Sequence, residues 1–337
     1  MKNFPCHPSG RARTQVLIVA VLLLLLIGVA VPALVKLRIS AADTRCEDQL
    51  RKIGIACHDY AVIHGGFPPS RITKNNDAAA YVPPNTGRGS VLITLLPHLG
   101  QEAVYDRYRR DRDWCDPANT GSGVLTTVLD NYRCPLAPGP RFETVPADGK
   151  TKYLVGFTFP YVEEQTREPF TGFVADYATL VQVRVEKRKT AVGLGLVAGY
   201  SVDHPPGFGA MRQNVVTPLN SIQDGLSQTS LFSELSGRPS EYFKGPVEKA
   251  NSYIDDSIWA SHDFRIYVNG TDVTGRVKGG PCVINCNNRR DIFSFHPGGA
   301  NILFADGRVK FVRDTLTAET LTYLVTANGG ESIPSLE

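Results

Sequence analysis

Residues 14–35, TQVLIVAVLLLLLIGVAVPALV, and the segment that follows, CEDQLRKIGIACHDYAVIHGGFPP (residues 46–69), decide how this chain is built. No charged residue falls between Thr14 and Val35. At 1.5 Å per residue such a stretch is about 33 Å long as a helix, enough to cross a hydrocarbon core of about 30 Å. A cleaved secretory signal is the competing reading, since Lys2, Arg11 and Arg13 form a basic start and Ser40-Ala41-Ala42 offers small residues. Against it, the apolar run exceeds an ordinary signal core of about 7–15 residues, and Lys36 and Arg38 separate it from the small residues. The expectation is an uncleaved single-pass anchor. The charge rule does not orient it, because Lys2, Arg11 and Arg13 on one side face Lys36, Arg38 and Arg45 on the other.

The helix is expected to outlast the membrane. Leu50, Ile53, Cys57 and Tyr60 recur on one helical face, with Arg45, Glu47, Asp48, Arg51 and Lys52 on the others. Gly65-Gly66 and Phe67-Pro68-Pro69 end it, because glycine leaves a helix freely and proline cannot continue one. Pro32 removes one backbone donor and is a place for a kink. The chain therefore divides into a basic segment (residues 1–13), a transmembrane helix (14–35), its amphipathic continuation (36–64) and an exported, sheet-rich domain (65–337).

Composition agrees with a folded exterior domain. The 337 residues are 42% apolar and 20% charged, too apolar for a disordered chain. A net charge of +3 gives no general electrostatic reason to bind nucleic acid. The 31 glycines and 23 prolines favour sheet and turns over a helical bundle. Strands are expected over residues 153–159, 180–185, 194–202 and 230–235. Residues 91–96 could be a strand or a short helix, residues 102–108 a turn or two of helix, and residues 135–150 and 237–251 long loops.

Near the C-terminus, Asp306-Gly307 between two strand-like runs predicts a hairpin over residues 301–312. A two-residue loop would pair Phe304 with Val309 and Ile302 with Phe311, burying the face that carries these four residues. His296 and Asp306 have the chemistry of a catalytic or metal pair. They flank a strand about 17 Å long, so Asp306 is read as a turn residue and His296 as bonding a loop carbonyl or packing beside Gly298 and Gly299.

The seven cysteines suggest an oxidising compartment. Candidate disulfides are Cys115 with Cys134 and Cys282 with Cys286. Cys46 and Cys57 lie about 16 Å apart along the helix, too far to join each other, and Cys6 is read as a free thiol on the inner side. A zinc site from Cys282, Cys286 and His296 lacks a clear fourth ligand, so no metal or other cofactor is expected. Gly193 to Gly199 does not fit the dinucleotide fingerprint, and Ser233-Glu234-Leu235-Ser236-Gly237 is not a nucleophile elbow. His58 and His64 are six apart and do not form a helical metal pair, and the arginines of residues 107–112 read as a solvated surface with internal ion pairs. No catalytic constellation stands out, and the chain is read as a non-enzyme.

Cys46 to Gly54, His58-Asp59-Tyr60, Gly66-Phe67-Pro68-Pro69, Leu95 to Leu99, Tyr132-Arg133-Cys134-Pro135, Asp224 to Thr229 and His296-Pro297-Gly298-Gly299-Ala300-Asn301 through Asp306-Gly307 follow one another along the chain. In this order they resemble the pilin-like proteins abundant in planctomycetes, catalogued as domain of unknown function 1559. The last is similar to that family's C-terminal signature of His, nine residues, then Asp-Gly. The resemblance implies a type IV pilin-like α+β fold, a long N-terminal helix packed on an antiparallel sheet. It further implies a pseudopilin-like structural or assembly role in the cell envelope or a secretion system, with the chain in the inner membrane and its bulk outside. The implied partners are the lipid bilayer and other pilin-like subunits through the helix. An anchored module for an extracellular glycan is the alternative, for which Trp114 and Trp259 are the only tryptophans available, and a hydrolase is third. One departure matters. With Pro32 aligned to the family's helix proline, Gly10 holds the position before the prepilin cleavage point, Arg11 replaces the usual Phe, and Gln15 replaces the Glu. A neutral Gln cannot pair with a neighbour's N-terminal amine inside the bilayer, so the chain is expected to stay uncleaved after Gly10.

Overall fold

A computed structural model describes residues 10–73, 86–139, 141–146, 168–183 and 209–330. The chain divides into two units, Met1–Thr44 and Arg45–Glu337, and the first helix, α1 (Gly10–His64), runs continuously through the division and through Pro32. Within the first unit the large apolar side chains are exposed, Leu17 by 65%, Leu24 by 69% and Leu37 by 66%. By length and hydropathy α1 can span a membrane.

In the second unit the same helix is amphipathic, as its sequence period requires. Cys46, Leu50, Ile53, Ala56 and Cys57 are fully buried, while Ile55 and Val62 are exposed. Arg51 and Lys52 pair with Glu47 and Asp48 one turn back on the wet face. Tyr60 is only half-buried and stacks on His64. Gly65, at φ 81°, closes the helix by donating its N–H to Ala61 O.

The remaining helices are α2 (Val91–Leu95), α3 (Glu102–Arg107), α4 (Pro117–Thr120) and α5 (Ala318–Val325). The strands are β1 (Arg71–Ile72), β2 (Gly89–Ser90), β3 (Phe142–Val145), β4 (Phe170–Phe173), β5 (Tyr177–Val183), β6 (Ser230–Glu234), β7 (Ser240–Phe243), β8 (Val247–Tyr253), β9 (Arg265–Val268), β10 (Gly299–Phe304) and β11 (Val309–Arg313). Five form the main sheet in the order β11-β10-β6-β5-β9, antiparallel except for the β5–β9 pair. Three two-stranded pairs, β1–β2, β3–β4 and β7–β8, are the other sheets among the described residues. The class is mixed α+β.

Helix α1 meets this sheet at the C-terminal hairpin. A Cβ built on Gly54 would lie 2.8 Å from Leu303 Cδ1, so glycine is what lets helix and strand approach this closely. His58 Nε2 donates to Ala305 O at 2.9 Å, and Gln49 Nε2 donates to Asp130 O at 2.7 Å.

Several expectations need correction. The hairpin register is shifted by one residue from a two-residue loop: Leu303 pairs with Val309, Ile302 with Lys310 and Asn301 with Phe311. Gly307 has φ 86° and donates to Phe304 O, while Asp306 stays at negative φ. One left-handed residue gives a longer turn ending in glycine, whereas the Asp-Gly two-residue loop of type I′ needs two. Phe311 consequently lies 47% exposed, and Val312 takes the buried position. All of β10 is buried, with β11 and β6 on its two edges. The stretch 237–251, expected as a loop, carries the β7–β8 hairpin around Gly245 (φ 83°), and residues 135–150 contain β3. Residues 91–95 and 102–107 are helical and residues 230–234 are a strand. The strand expected at 180–185 is the end of β5, described as far as Val183. The strands expected at 153–159 and 194–202, the glycines from Gly193 to Gly199 and Cys6 lie outside the described residues.

Candidate functional site

Four side chains that are remote in sequence converge inside the second unit. Cys46 comes from α1. Cys134 follows the 3-10 turn Asp130–Tyr132, Glu234 ends β6, and His296 lies in the turn before β10. All four are buried, and one sulfur, nitrogen or oxygen from each lies within 4.8 Å of the others. Cys46 Sγ is 2.9 Å from Cys134 Sγ, Cys134 Sγ is 4.0 Å from His296 Nε2, and His296 Nε2 is 2.8 Å from Glu234 Oε1.

Each member is itself held in place. The Cys134 N–H donates to Asp176 Oδ2 at 2.8 Å, and Asp176 is fixed in turn by Arg141 at 2.7 Å. Glu234 Oε2 accepts the Asn301 N–H at 2.8 Å, which ties the carboxylate to β10. The His296 N–H donates to Ser294 Oγ, whose hydroxyl donates onward to Gly299 O. Gly298, at φ 83°, turns the chain back, and a Cβ on Gly299 would lie 2.2 Å from Val312 O, so both signature glycines are required by backbone geometry. On the helix side, the Tyr177 hydroxyl donates to Gln49 Oε1 at 2.7 Å, one turn from Cys46.

The electrostatics follow from burial and contact. The hydrogen bond to Cys46, reinforced by burial, raises the Cys134 thiol well above its ordinary value. Burial works to lower His296, but its bonds to Cys134 and Glu234 outweigh that and raise it to about 11. Burial and then the neighbouring Cys134, Cys46 and Glu234 push the Tyr177 phenol up. Burial raises Asp176 to about 6 against the pull of Arg141. Two sulfurs, an imidazole and a carboxylate are the donor types of a tetrahedral transition-metal site. With four protein donors such a site is closed, leaving no position for substrate.

The residues singled out by sequence fall differently from expectation. Cys282 and Cys286 are joined, with Cα atoms 6.0 Å apart. Cys134 does not join Cys115; it lies against Cys46, because the turn after Tyr132 points its side chain at α1. Cys282 and Cys286, bonded to each other, offer no thiolates to His296. His296 Nε2 meets the Glu234 carboxylate, a partner the sequence did not suggest. Asp306 is a turn residue: its carboxylate accepts the Arg308 N–H at 3.0 Å and the Arg308 Nε–H at 2.6 Å. Gly10 and Arg11 are the first residues of α1, and Gln15 is exposed on it. Trp114 and Trp259 are both buried, so neither offers an exposed stacking surface. The arginine cluster is exposed and pairs internally through Asp111.

Sequence reasoning missed Cys46 and Glu234 as site residues. Only Cys46 carried a signal, since it lies one turn before Leu50 on the buried face of α1.

No curated protein and no solved structure matches the chain. One family does, over residues 38–319, from within α1 to the start of α5, and it is described as a protein of unknown function, DUF1559. With most of its length matched, including all four converging side chains, the chain belongs to the DUF1559 family.

Proposed function

We propose that this chain is a membrane-anchored, pilin-like structural component of the cell envelope, carried in the inner membrane with its bulk outside and assembling with other pilin-like subunits through α1. One observation carries the reading. A single helix is apolar and exposed from Leu17 to Leu37, then amphipathic and buried on one face from Cys46 to Ala61. Leaving a large aliphatic side chain in water costs about 1.5–3 kcal/mol, so the first stretch calls for lipid or neighbouring helices as its surroundings. The second stretch is part of the exported domain's own core. A helix that offers one stretch to lipid or neighbouring helices and another to its own domain's core suits a subunit that assembles through its anchor. The Cys282–Cys286 disulfide supports placing that domain on an oxidising side. The reading is non-enzymatic.

Photo-crosslinking from Leu22 in native membranes tests it. Homo-oligomeric adducts, or adducts to another chain with a pilin-like helix, are the expected result. Adducts to lipid alone would leave an anchored monomer and overturn the assembly role.

A further inference from the structure

We propose that Cys46, Cys134, Glu234 and His296 form a closed structural site for a divalent transition metal of the zinc type, which fastens the outer half of α1 to the main sheet. This goes beyond the assembly reading and does not rest on it.

Three observations support the site. The donor set is mixed in the way zinc prefers: two thiolates, one imidazole and one carboxylate, from four separate elements. Bond lengths of about 2.3 Å to sulfur and 2.0–2.2 Å to nitrogen and oxygen place tetrahedral donors roughly 3.3–3.8 Å apart. The separations of 2.8, 2.9 and 4.0 Å straddle that range and every donor pair lies within 4.8 Å, so donor shifts of about 1 Å would seat the ion. Second, the donors are held from behind, Glu234 by the Asn301 N–H and Cys134 by the Asp176 carboxylate, as metal ligands commonly are. Third, Cys282 and Cys286 are joined while Cys46 and Cys134, with sulfurs 2.9 Å apart, are not. A metal that takes both sulfurs as thiolates keeps them from joining.

The chemistry balances without a redox partner. Each thiol and the His296 imidazolium lose a proton to solvent on binding, so His296 binds through the freed Nε2 lone pair and Glu234 as the carboxylate. Two thiolates, one carboxylate and a divalent cation leave one net negative charge.

The test uses the full chain, purified in mild detergent without chelator. Elemental analysis should find about one zinc per chain. Exchange with cobalt(II) should give the visible bands of a tetrahedral site together with a thiolate-to-cobalt charge-transfer band. Bound metal should protect Cys46 and Cys134 from alkylation, and chelation should expose both. Glu234→Gln and His296→Ala should weaken metal binding by at least about 100-fold, more than the loss expected from an outer-shell residue. The wild-type spectrum and alkylation pattern need no variant, so a variant that fails to fold does not decide the outcome. A Cys46–Cys134 disulfide in the chain as isolated, two free thiols that take up no metal, or cobalt bound without a thiolate band would each overturn the proposal.

Discussion

Ile53 and Ile55 lie two positions apart on α1 and so about 200° apart around it. Ile53 is fully buried and Ile55 is 55% exposed. Ile53→Ala deletes three carbons from a packed site. At about 0.8 kcal/mol per buried carbon, plus a cavity left behind, the loss comes to roughly 3–4 kcal/mol. Ile55→Ala removes little buried surface and gains a better helix former, so its effect should stay within about 0.5 kcal/mol. Unfolding entropy of about 2.1 cal/mol/K per residue, over a unit running from Arg45 to Glu337, makes 1 kcal/mol worth a little under about 2 °C. Ile53→Ala should therefore lower Tm by about 6 °C and Ile55→Ala by less than about 1 °C. Thermal unfolding of the full chain in mild detergent, followed by fluorescence of the buried Trp114 and Trp259, reads both variants. Equal shifts would refute the argument, since they would mean that the outer half of α1 does not pack one face into the domain.

Further outcomes follow from other sites. Burial raises Asp291 to about 7 although the Asn269 and Gly270 N–H groups donate to it. Its neutral form is favoured by folding, so its contribution falls as pH rises from about 4 to about 7, by roughly 4 kcal/mol in all. Asp291→Asn should flatten the pH dependence of stability in that window, and an unchanged slope in denaturant titrations would contradict this. Gly307 holds φ 86° in the hairpin turn; Gly307→Ala should cost about 1–2 kcal/mol and Gly307→Asn distinctly less, measured by denaturant midpoint. Equal losses would show that the positive φ is not what the turn requires. Non-reducing peptide mapping should link Cys282 to Cys286 and should not link Cys115 to Cys134. Reducing the short Cys282–Cys286 loop should cost about 2 kcal/mol.

How far the sequence could be read depended on whether the cause was local. The buried face of α1 was visible in the spacing of Leu50, Ile53 and Cys57, and its end in Gly65-Gly66, because helical period and glycine exit act within a few residues. Asp306-Gly307 announced a hairpin but not its register, since the number of left-handed residues in the turn is settled by how β10 sits between β6 and β11. Residues 237–251 looked like a loop because much of the stretch is polar, although Gly245-Pro246 between Phe243 and Val247 was a turn signal. The converging cluster was illegible for another reason. Metal spacing rules look for ligands a few residues apart, whereas Cys46, Cys134, Glu234 and His296 come from four elements that only the tertiary fold brings together. Each alone had an ordinary reading: a helix cysteine, half of a disulfide, a strand carboxylate and a turn histidine. The disulfide expected between Cys115 and Cys134 failed because sequence separation says nothing of where the turn after Tyr132 points its next side chain.

The central claim is that one continuous α1 serves as both membrane anchor and domain core. Alkaline carbonate washing of native membranes, with the N-terminus of the recovered chain identified by mass spectrometry, tests it most directly. The predicted result is an intact chain in the pellet that still carries residues 14–35. A soluble chain beginning near Ala42 would contradict it, because the apolar half would then be a signal removed before the domain was complete.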